Sequence, residues 1–380
     1  MKIRKIQAYA VTIPLRARYW VSNEVIDRCS QIIVKIETDG GPTGLATLHG
    51  RNMPRVLEIV AELDGYLHGR DALAQEAIWA DLFGLTTQSP GTVRKLKLPD
   101  VGGPDKRAAM LAALAGIDIA LWDIKGKAAG LPVWRLLGGE RTSVRAYVTG
   151  GYYQDGADVL DIAPEMAGYV AQGFNGVKMK VGGMALDVDV ARVRAVREAI
   201  GPDTMLMVDA NCAYNLPQAI AAIRAFEPYG IHWFEEPLHW YDSVRALGRL
   251  AQHTRVALAS GESEMHSWAC RDLIDLGGVR YMEFDATRSG GITEWLRVAA
   301  YAQAHGVLMA THHDPHIHGH LAAAAANGDC VEVFVDENRD PLWAQLFTER
   351  AQLRDGRLHL TDRPGFGFDI DWDLVKRHHI

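Results

Sequence analysis

Short apolar runs recur along the second part of the chain, and segments of helical length separate them. The runs begin near Ser143, Asn175, Met205, Ile231, Val256, Val279, Val307 and Val331. One intervening segment, which ends at Gly201-Pro202, has apolar residues at helical spacing: Val190, Val193, Val196 and Ile200. Eight strands that alternate with helices are typical of a parallel barrel. We therefore predict an α/β fold with a (β/α) barrel over residues 126–340.

The first part of the chain has a different pattern. Apolar and polar residues alternate over residues 2–13 and 31–38, as they do in strands. A helical segment follows, with one apolar face made of Val56, Ile59, Val60, Leu63 and Leu67. Helical sequence continues over residues 105–129 and stops at Gly130-Leu131-Pro132. We predict an α+β capping domain over residues 1–125, and a tail over residues 341–380 that returns to complete it.

Composition narrows the classes to which the chain can belong. The 380 residues are 48% hydrophobic and 23% charged, which suits a large buried core. Phosphate binding needs a basic face, and with a formal net charge of -7 and no polybasic stretch we expect no nucleic-acid partner. The longest apolar stretch, residues 108–122, is too short to span a bilayer, and we expect no membrane partner. The four cysteines form no Cys-x-x-Cys pair, which favours a reducing, cytoplasmic setting.

Three acidic residues, Asp209, Glu235 and Glu262, stand at the ends of consecutive predicted strands. Their intervals of 26 and 27 residues match one strand-helix repeat. Alone, each would be interpreted as a loop residue or a helix cap. The carboxyl ends of barrel strands meet at one face, so the three carboxylates are expected to converge and bind Mg²⁺. Glu236 is the alternative to Glu235, because adjacent strand residues point to opposite faces.

Lys178 and Lys180 come one strand before this group and lie two residues apart. On a strand both ammonium groups point to the same face, which in a barrel is the interior. Two neighbouring lysines repel each other and lose hydration, which is expected to lower at least one pKa and leave a neutral amine as a base. The alternative is a pair of surface lysines on an edge strand. Their position one strand before Asp209 favours the interior.

Two further strand ends carry a possible acid/base pair. The sixth predicted strand ends at Asp285 and the seventh at His312, again one repeat later. An Asp beside a His fixes the tautomer and stabilises the protonated form. The alternative is a helix cap at Asp285 and a polar strand end at His312. Glu332, on the eighth predicted strand, is a candidate to hydrogen-bond substrate or to donate a proton.

A histidine-rich tract over residues 312–320 raises the alternative of a zinc site. His316 and His320 can share one face of a helix. No glutamate stands between them in a His-Glu-x-x-His arrangement, and no third ligand is apparent in the sequence. We therefore expect that most of these histidines have no metal-binding role.

Together these residues resemble the enolase superfamily, and specifically its mandelate racemase group. The matching motifs are Gly116-Ile117-Asp118-Ile119-Ala120-Leu121-Trp122-Asp123-Ile124-Lys125-Gly126-Lys127, Lys178 with Lys180, Asp209, Trp233-Phe234-Glu235-Glu236-Pro237, Gly261-Glu262, Asp285 with Arg288-Ser289-Gly290-Gly291, and His312. The resemblance implies a (β/α)7β modified TIM barrel with an α+β capping domain formed by the N-terminal part and the tail. It also implies a homo-oligomer.

Carried over position by position, the resemblance assigns Mg²⁺ to the three strand-end carboxylates. Lys180 would be one acid/base group, and His312, oriented by Asp285, the other. Lys178 would assist Lys180. Glu332 matches the family's glutamate on the eighth strand.

The resemblance implies a reaction that begins with removal of the proton next to a carboxylate and gives an enediolate held by the metal. If the β-carbon bears a hydroxyl, His312 as an imidazolium can protonate it and expel water, which gives a 2-keto-3-deoxy acid. We therefore predict a lyase, a Mg²⁺-dependent dehydratase of a hydroxylated acid sugar. A racemase or epimerase, a sugar-lactone cycloisomerase and a non-catalytic relative remain as alternatives.

Polar residues in two loops of the predicted cap favour a small, hydroxylated carboxylic acid as the substrate. These residues are Arg16, Arg18, Tyr19, Trp20, His49, Arg51 and Asn52. We predict substrate contacts from Trp20, His49 and Arg51 in the cap and from Arg288 in the barrel.

Overall fold

The structure, a computed structural model, describes residues 1–88, 92, 95, 98–103 and 106–379. Its fold is the predicted one: a closed barrel of eight parallel strands with helices around it, and an antiparallel sheet and helices that cap it. The predicted domain boundaries, 1–125, 126–340 and 341–380, stay a prediction. In the described part of the chain, no helix has both the length and the apolar character needed to cross a membrane.

The cap is built on a three-stranded antiparallel sheet made of β1 (Ile3–Trp20), β2 (Val25–Thr38) and β3 (Gly44–His49). The first two strands are longer than predicted, because the hairpin pairing continues to Tyr19 opposite Ile26. The helices that accompany the sheet include α1 (Met53–Leu67), α2 (Gln75–Leu85) and α3 (Arg107–Ala129). The predicted apolar face of α1 is buried in full. The expected helix start at Asp105 lies outside the described residues.

The barrel follows in strict alternation of strand and helix. Its strands are β4 (Ser143–Gly150), β5 (Gly176–Lys180), β6 (Met205–Asp209), β7 (Trp233–Glu235), β8 (Ala257–Ser260), β9 (Tyr281–Met282), β10 (Leu308–Thr311) and β11 (Gly328–Val333). A single-turn helix, α4 (Val133–Leu136), precedes them. The helices between them are α5 (Ile162–Ala171), α6 (Leu186–Ile200), α7 (Leu216–Phe226), α8 (Ser243–Leu250), α9 (Ser267–Asp272), α10 (Gly291–Ala304) and α11 (Pro315–Ala324). Short 3-10 turns occupy Glu227–Tyr229, Trp240–Asp242 and Ala251–His253, and a π turn occupies Leu273–Gly277.

Parallel pairing of β11 with β4 closes the barrel. Three predicted strand ends need correction, since β8 ends at Ser260, before Glu262, and β10 ends at Thr311, before His312. The largest difference is at β9, which ends at Met282 and not at Asp285. The chain beyond it still follows the barrel wall, since the Glu283 amide donates to the Ser260 carbonyl. Asp285 therefore projects from the loop that leaves the sixth strand.

The barrel interior has an apolar lower layer and a polar upper layer. A buried cluster fills the lower layer: Tyr147, Met207, Trp233, Ala259, Ala310 and Cys330. Two residues further along most of these strands, the inward side chain is polar, as in Met207 followed by Asp209 and Trp233 followed by Glu235. Since side chains alternate between faces with period two, the same strands that pack the core also present polar groups at their carboxyl ends.

Helix α3 ties the parts of the chain together through two buried carboxyl groups. Asp118 accepts hydrogen bonds from the amide and hydroxyl of Thr293 on α10, at 2.9 and 2.6 Å. Asp123 accepts from the amide of Leu45 in the cap and from the amide of Phe366 in the tail, at 2.9 and 3.0 Å. This part of the first signature motif therefore has a structural role.

The tail contributes to both domains. Its elements are α12 (Pro341–Gln345), β12 (Phe347–Glu349), β13 (Gln352–Arg354), β14 (Arg357–His359), β15 (Asp369–Ile370) and α13 (Trp372–His378). Strand β14 pairs antiparallel with the first barrel strand, β4. Helix α13 packs near β1, where the Trp372 ring meets Tyr9 edge to face at 5.3 Å.

Candidate active site

Three carboxylates meet at the carboxyl-terminal end of the barrel. Asp209 and Glu235 are paired neighbours on β6 and β7, and Glu262 follows β8. Each offers an oxygen, and these oxygens all lie within 4.8 Å of one another. All three residues are buried, and burying three negative charges together is unfavourable without a neutralising cation. A set of oxygen ligands of this kind fits Mg²⁺.

Glu236, the alternative to Glu235, is used differently. Its Oε1 accepts hydrogen bonds from the Ser260 hydroxyl at 2.8 Å and the Gly261 amide at 3.0 Å. Burial and the charge of Glu262 raise its pKa to about 7. The Glu236 backbone has a positive φ of 39°, which turns the chain sharply after Glu235. Glu236 thus holds the loop that carries Glu262, while Glu235 faces the cluster.

Lys178 and Lys180 point into the barrel and are almost fully buried, which excludes the alternative of surface lysines. Lys180 Nζ donates to Asp209 Oδ2 at 2.5 Å. Lys178 Nζ contacts Glu235 and lies 3.0 Å from Glu332 Oε1. Each lysine therefore forms an ion pair with one member of the carboxylate cluster.

The expected lowering of a lysine pKa is not found. Burial lowers the pKa of Lys180, but the charge of Asp209 outweighs burial and leaves this pKa raised. Burial also lowers the pKa of Lys178, whereas Glu235 and Glu332 raise it well above the ordinary value. Repulsion between the two lysines is outweighed by the carboxylates that face them from other strands.

His312 and Asp285 form the predicted pair. His312 Nδ1 lies 2.9 Å from Asp285 Oδ2, and His312 Nε2 lies 3.2 Å from Glu262 Oε2. Burial lowers the His312 pKa, but Glu262 and Asp285 outweigh burial and raise it to about 9. Burial raises the Asp285 pKa, but the bond to His312 and the neighbouring histidines lower it below the ordinary range. In the metal-free protein, both shifts favour an imidazolium paired with a carboxylate at neutral pH.

Asp285 is itself held in place by neighbouring groups. Its Oδ1 accepts hydrogen bonds from the Thr287 amide at 2.8 Å and the Thr287 hydroxyl at 2.7 Å. His318 Nε2 accepts from the Ala286 amide at 3.0 Å, and the opposite ring nitrogen lies 2.7 Å from the His313 carbonyl. His318, a member of the histidine-rich tract, therefore supports the loop that carries Asp285.

The two histidines of the zinc alternative, His316 and His320, have structural partners. His316 Nε2 lies 2.7 Å from the Thr47 hydroxyl of the cap. His320 Nδ1 accepts from the Trp134 amide at 3.2 Å, and burial lowers the His320 pKa to about 3. Among the described residues, neither joins a cluster of three possible metal ligands.

Glu332 is held as a carboxylate. Its Oε1 accepts from the Thr149 hydroxyl at 2.5 Å, and its Oε2 accepts from the His313 amide at 3.0 Å. Burial raises its pKa, but the charges of Lys178 and His312 lower it well below the ordinary value. This charge state favours accepting a hydrogen bond over donating a proton.

A cavity of about 330 Å³ opens above these groups, and Lys180, Glu262 and His312 lie on its wall. Two of the predicted substrate contacts, His49 and Arg51, also line it. The His49 ring stacks near His312, with 6.1 Å between centroids. These two cap residues lie close enough to the acid/base groups to meet a bound molecule.

The other two predicted substrate contacts, Trp20 and Arg288, have different neighbours and are not among the described residues that line the cavity. Trp20 stacks on Tyr153 with 4.4 Å between ring centroids, which fastens the first cap loop to the barrel. Arg288 Nη1 donates to the Glu262 carbonyl at 3.0 Å and lies 3.5 Å from Glu262 Oε1. Arg288 therefore orients Glu262.

Two residues of the site escaped the sequence analysis. Glu283 is buried beside Glu235, and burial together with the Glu235 charge raises its pKa well above the ordinary value. It lies two residues before Asp285, so strand alternation could have identified it. Arg339, which lines the cavity from the loop after β11, follows no periodic pattern that would have marked it.

Two family profiles match the chain. One, described as the mandelate racemase / muconate lactonizing enzyme N-terminal domain, matches residues 4–138. The other, described as enolase C-terminal domain-like, matches residues 161–374. Together they cover the cap, most of the tail and the barrel from its first helix onward.

Three known proteins illustrate the similarity. Arabinonate dehydratase of Saccharolobus solfataricus is 35% identical over 70% of this chain and 71% of its own. D-galactarolactone cycloisomerase of Agrobacterium fabrum is 34% identical over 100% of this chain and 99% of its own. The crystal structure of L-talarate dehydratase from Polaromonas sp. JS666, complexed with Mg and L-glucarate, has a TM-score of 0.85 and 31% identity, and covers 100% and 97% of the two chains. The predicted resemblance is confirmed, and the chain belongs to the mandelate racemase/muconate lactonizing enzyme family of the enolase superfamily.

Proposed function

We propose that this protein is a Mg²⁺-dependent dehydratase that removes water from a hydroxylated carboxylic acid and yields a 2-keto-3-deoxy acid. The observation that carries the proposal is the placement of Lys180 and His312 on either side of the carboxylate cluster. Lys180 Nζ contacts Asp209, and His312 Nε2 contacts Glu262. Both residues also line the cavity. A substrate carboxylate placed at the cluster would therefore have an acid/base group on each side of its α-carbon.

Asp209, Glu235 and Glu262 would hold the Mg²⁺ ion. When bound, the ion supplies positive charge that offsets the charge of the carboxylates and favours the negative charge developing on the substrate carboxylate. Arg288 keeps Glu262 in place through its bond to the Glu262 carbonyl. Glu236 supports the same loop from the opposite side.

In the metal-free protein, Asp209 holds Lys180 as an ammonium. A cation bound by Asp209 would oppose this ion pair and favour the neutral amine. As the neutral amine, Lys180 accepts the proton from the α-carbon, and the electron pair of that C–H bond forms a double bond to the β-carbon. The C–O bond at the β-carbon breaks, and His312 Nε2 gives its proton to the departing hydroxyl, which leaves as water. The enol that remains takes up a proton at the β-carbon, releases the proton of its α-hydroxyl and becomes the 2-keto-3-deoxy acid. Asp285 keeps Nε2 of His312 directed at the site and stabilises the imidazolium before it donates.

Lys178 and Glu332 complete the charge balance around the reacting carbon. Lys178 bridges Glu235 and Glu332, so it fixes one ligand and one hydrogen-bond acceptor together. Glu332, held as a carboxylate, is suited to accept a hydrogen bond from a substrate hydroxyl. His49 and Arg51 of the cap close the cavity over the substrate.

The test is incubation with Mg²⁺ in deuterated water and a panel of aldonic and aldaric acids, with products read by proton NMR. A 2-keto-3-deoxy acid is the expected product and would identify the substrate. Deuterium at the α-carbon without loss of water would indicate that the reaction is epimerisation and not dehydration. No change with any acid of the panel would contradict the proposal.

Lactone cycloisomerisation is the second candidate, because a D-galactarolactone cycloisomerase matches this chain over its whole length. The same proton abstraction would then open a lactone ring, and the leaving group would be the ring carboxylate oxygen. Adding galactarolactone to the panel separates the two reactions. Conversion of the lactone in preference to every open-chain acid would favour this candidate.

A further inference from the structure

Arg339 stands in the cavity wall away from the carboxylate cluster. It lies in the loop between β11 and α12. Its guanidinium carbon is 4.6 Å from the centroid of the Tyr152 ring and 5.7 Å from that of Phe334. Nη2 donates to the Tyr152 hydroxyl at 3.3 Å. Two aromatic rings therefore hold the guanidinium plane in one position.

The guanidinium lacks a carboxylate partner. Among the described residues, no carboxylate oxygen lies within 4.0 Å of an Arg339 nitrogen. The two other arginines of the cavity wall are already paired: Arg28 with Asp27 at 2.8 Å, and Arg51 with Glu24 at 3.3 Å. A fixed, unpaired guanidinium facing a cavity is suited to an anion from outside the chain.

One nitrogen of Arg339 is left without any partner. Nε is buried and makes no hydrogen bond with the described residues. A buried N–H that is unpaired is unfavourable, so a ligand that accepts from it would gain affinity. The neighbouring acid, Asp340, does not fill this role. Its Oδ1 accepts from the Trp343 amide at 3.2 Å and from the Cys29 thiol at 3.1 Å.

The distance between Arg339 and the reacting groups suits a short molecule. Lys180 Nζ lies 5.5 Å from the centroid of the same Tyr152 ring. Both cations thus contact one aromatic side chain, and their separation cannot exceed the sum of the two distances to its centroid. A short-chain acid whose first carboxylate lies at the cluster can reach Arg339 with its far end.

We propose that Arg339 binds the second carboxylate of a dicarboxylic sugar acid, and that the substrate is therefore an aldaric acid, not an aldonic acid. This inference rests on the proposed function for the position of the first carboxylate. Arg339 acts as a specificity-determining residue, since it contacts the end of the substrate at which no bond changes. Tyr152 is its positioning residue.

The test compares pairs of acids that differ only at the far carbon, such as galactarate and galactonate, or glucarate and gluconate. In the Mg²⁺-loaded protein, Arg339→Gln should lower kcat/KM for the diacid on the order of a hundredfold, because a buried charged contact is lost. For the monoacid the change should stay within about threefold. Arg339→Lys keeps the positive charge but lacks the planar guanidinium. Its kcat/KM for the diacid should lie between those of the wild type and of Arg339→Gln.

Arg28→Gln is the matched control. Arg28 lines the same cavity, but its charge is paired with Asp27 and its side chain is 63% exposed. The Arg28→Gln substitution should leave the ratio of diacid to monoacid activity unchanged. An Arg339→Gln protein with the wild-type ratio, or a wild-type protein that prefers the monoacid, overturns the inference.

Binding without turnover separates this inference from the proposed reaction. In a Lys180→Ala protein with Mg²⁺, titration calorimetry should show the diacid binding more tightly than the matched monoacid. Adding Arg339→Gln should remove that preference. If the preference is present and depends on Arg339 while the wild-type protein dehydrates no acid, the proposed function fails and the inference stands. If the diacid does not bind, or binds equally with and without Arg339, the inference is overturned.

Discussion

His312 is oriented by Asp285, whose Oδ2 lies 2.9 Å from Nδ1 and leaves Nε2 facing Glu262. Two carboxylates thus act on one ring from opposite sides. Because both raise the pKa of His312, the metal-free protein should carry an imidazolium there at neutral pH.

Asp285→Asn should lower the His312 pKa from about 9, because a charged acceptor is replaced by a neutral one. Turnover should fall by about a hundredfold or more, since the imidazolium loses its orienting partner. NMR titration of the His312 ring in the metal-free protein measures the pKa directly. An unchanged His312 pKa in the variant would contradict the role of Asp285.

The raised pKa of His312 also makes the stability of the protein depend on pH. A histidine whose folded pKa is raised contributes stability below its ordinary pKa of about 6.5 and loses that contribution as the pH rises through about 9. The metal-free protein should therefore become less stable over this range. Asp285→Asn should flatten this dependence, which denaturant unfolding at a series of pH values would measure.

Removal of Mg²⁺ by a chelator should abolish turnover and lower the melting temperature, because the ion binds only the folded cluster. Asp209→Asn should remove most of the Mg²⁺-dependent rise in melting temperature. Asp123→Asn is the matched control, since Asp123 is also buried but bonds the Leu45 and Phe366 amides away from the cluster. If both variants lost the Mg²⁺-dependent rise in melting temperature to the same extent, the assigned ligand set would be contradicted.

Lys180→Ala and His312→Asn should both lose dehydration with the fold intact, but they should differ in deuterated water. If Lys180 removes the α-proton, His312→Asn should still exchange that proton for deuterium. Lys180→Ala should show no exchange. Proton NMR of recovered substrate distinguishes them, and the opposite pattern would exchange the two roles.

The buried carboxyl group of Asp118, away from the site, should make the stability of the protein depend on pH. Burial raises its pKa to about 7, although its bonds to Thr293 oppose this. A carboxyl group whose pKa is raised on folding contributes stability below its ordinary pKa and loses it as the pH rises through about 7. The free energy of unfolding of Asp118→Asn, measured relative to that of the wild type, should therefore be higher at pH 8 than at pH 5. Asp203→Asn, at an exposed position, should show no such trend.

The repeat of strand and helix in the sequence predicted the barrel because a parallel strand needs a crossover of nearly constant length. That regularity also located Asp209 and Glu235 at strand ends and His312 directly after one. Alternation decided that Lys178 and Lys180 face inward. It left open the choice between Glu235 and Glu236, which depended on a turn with positive φ at Glu236.

What the sequence could not provide was contact between residues distant along the chain. The direction of the lysine pKa shifts depends on carboxylates from three other strands. The lining of the cavity by Arg339 depends on the path of an irregular loop, and loop paths have no periodic signal. Trp20 and Arg288 were chosen as substrate contacts by their place in the chain, yet their rings and charges are committed to Tyr153 and Glu262.

The ladder that places Lys180 opposite Asp209, and Asp209 opposite Glu235, has an evolutionary consequence. The spacing of these groups is inherited from hydrogen bonds of the main chain, so it survives substitution of almost any neighbouring side chain. Recognition of the substrate is placed instead on loops of the cap and on the segment after the last strand. New specificity can arise there by loop exchange while the reaction itself stays the same.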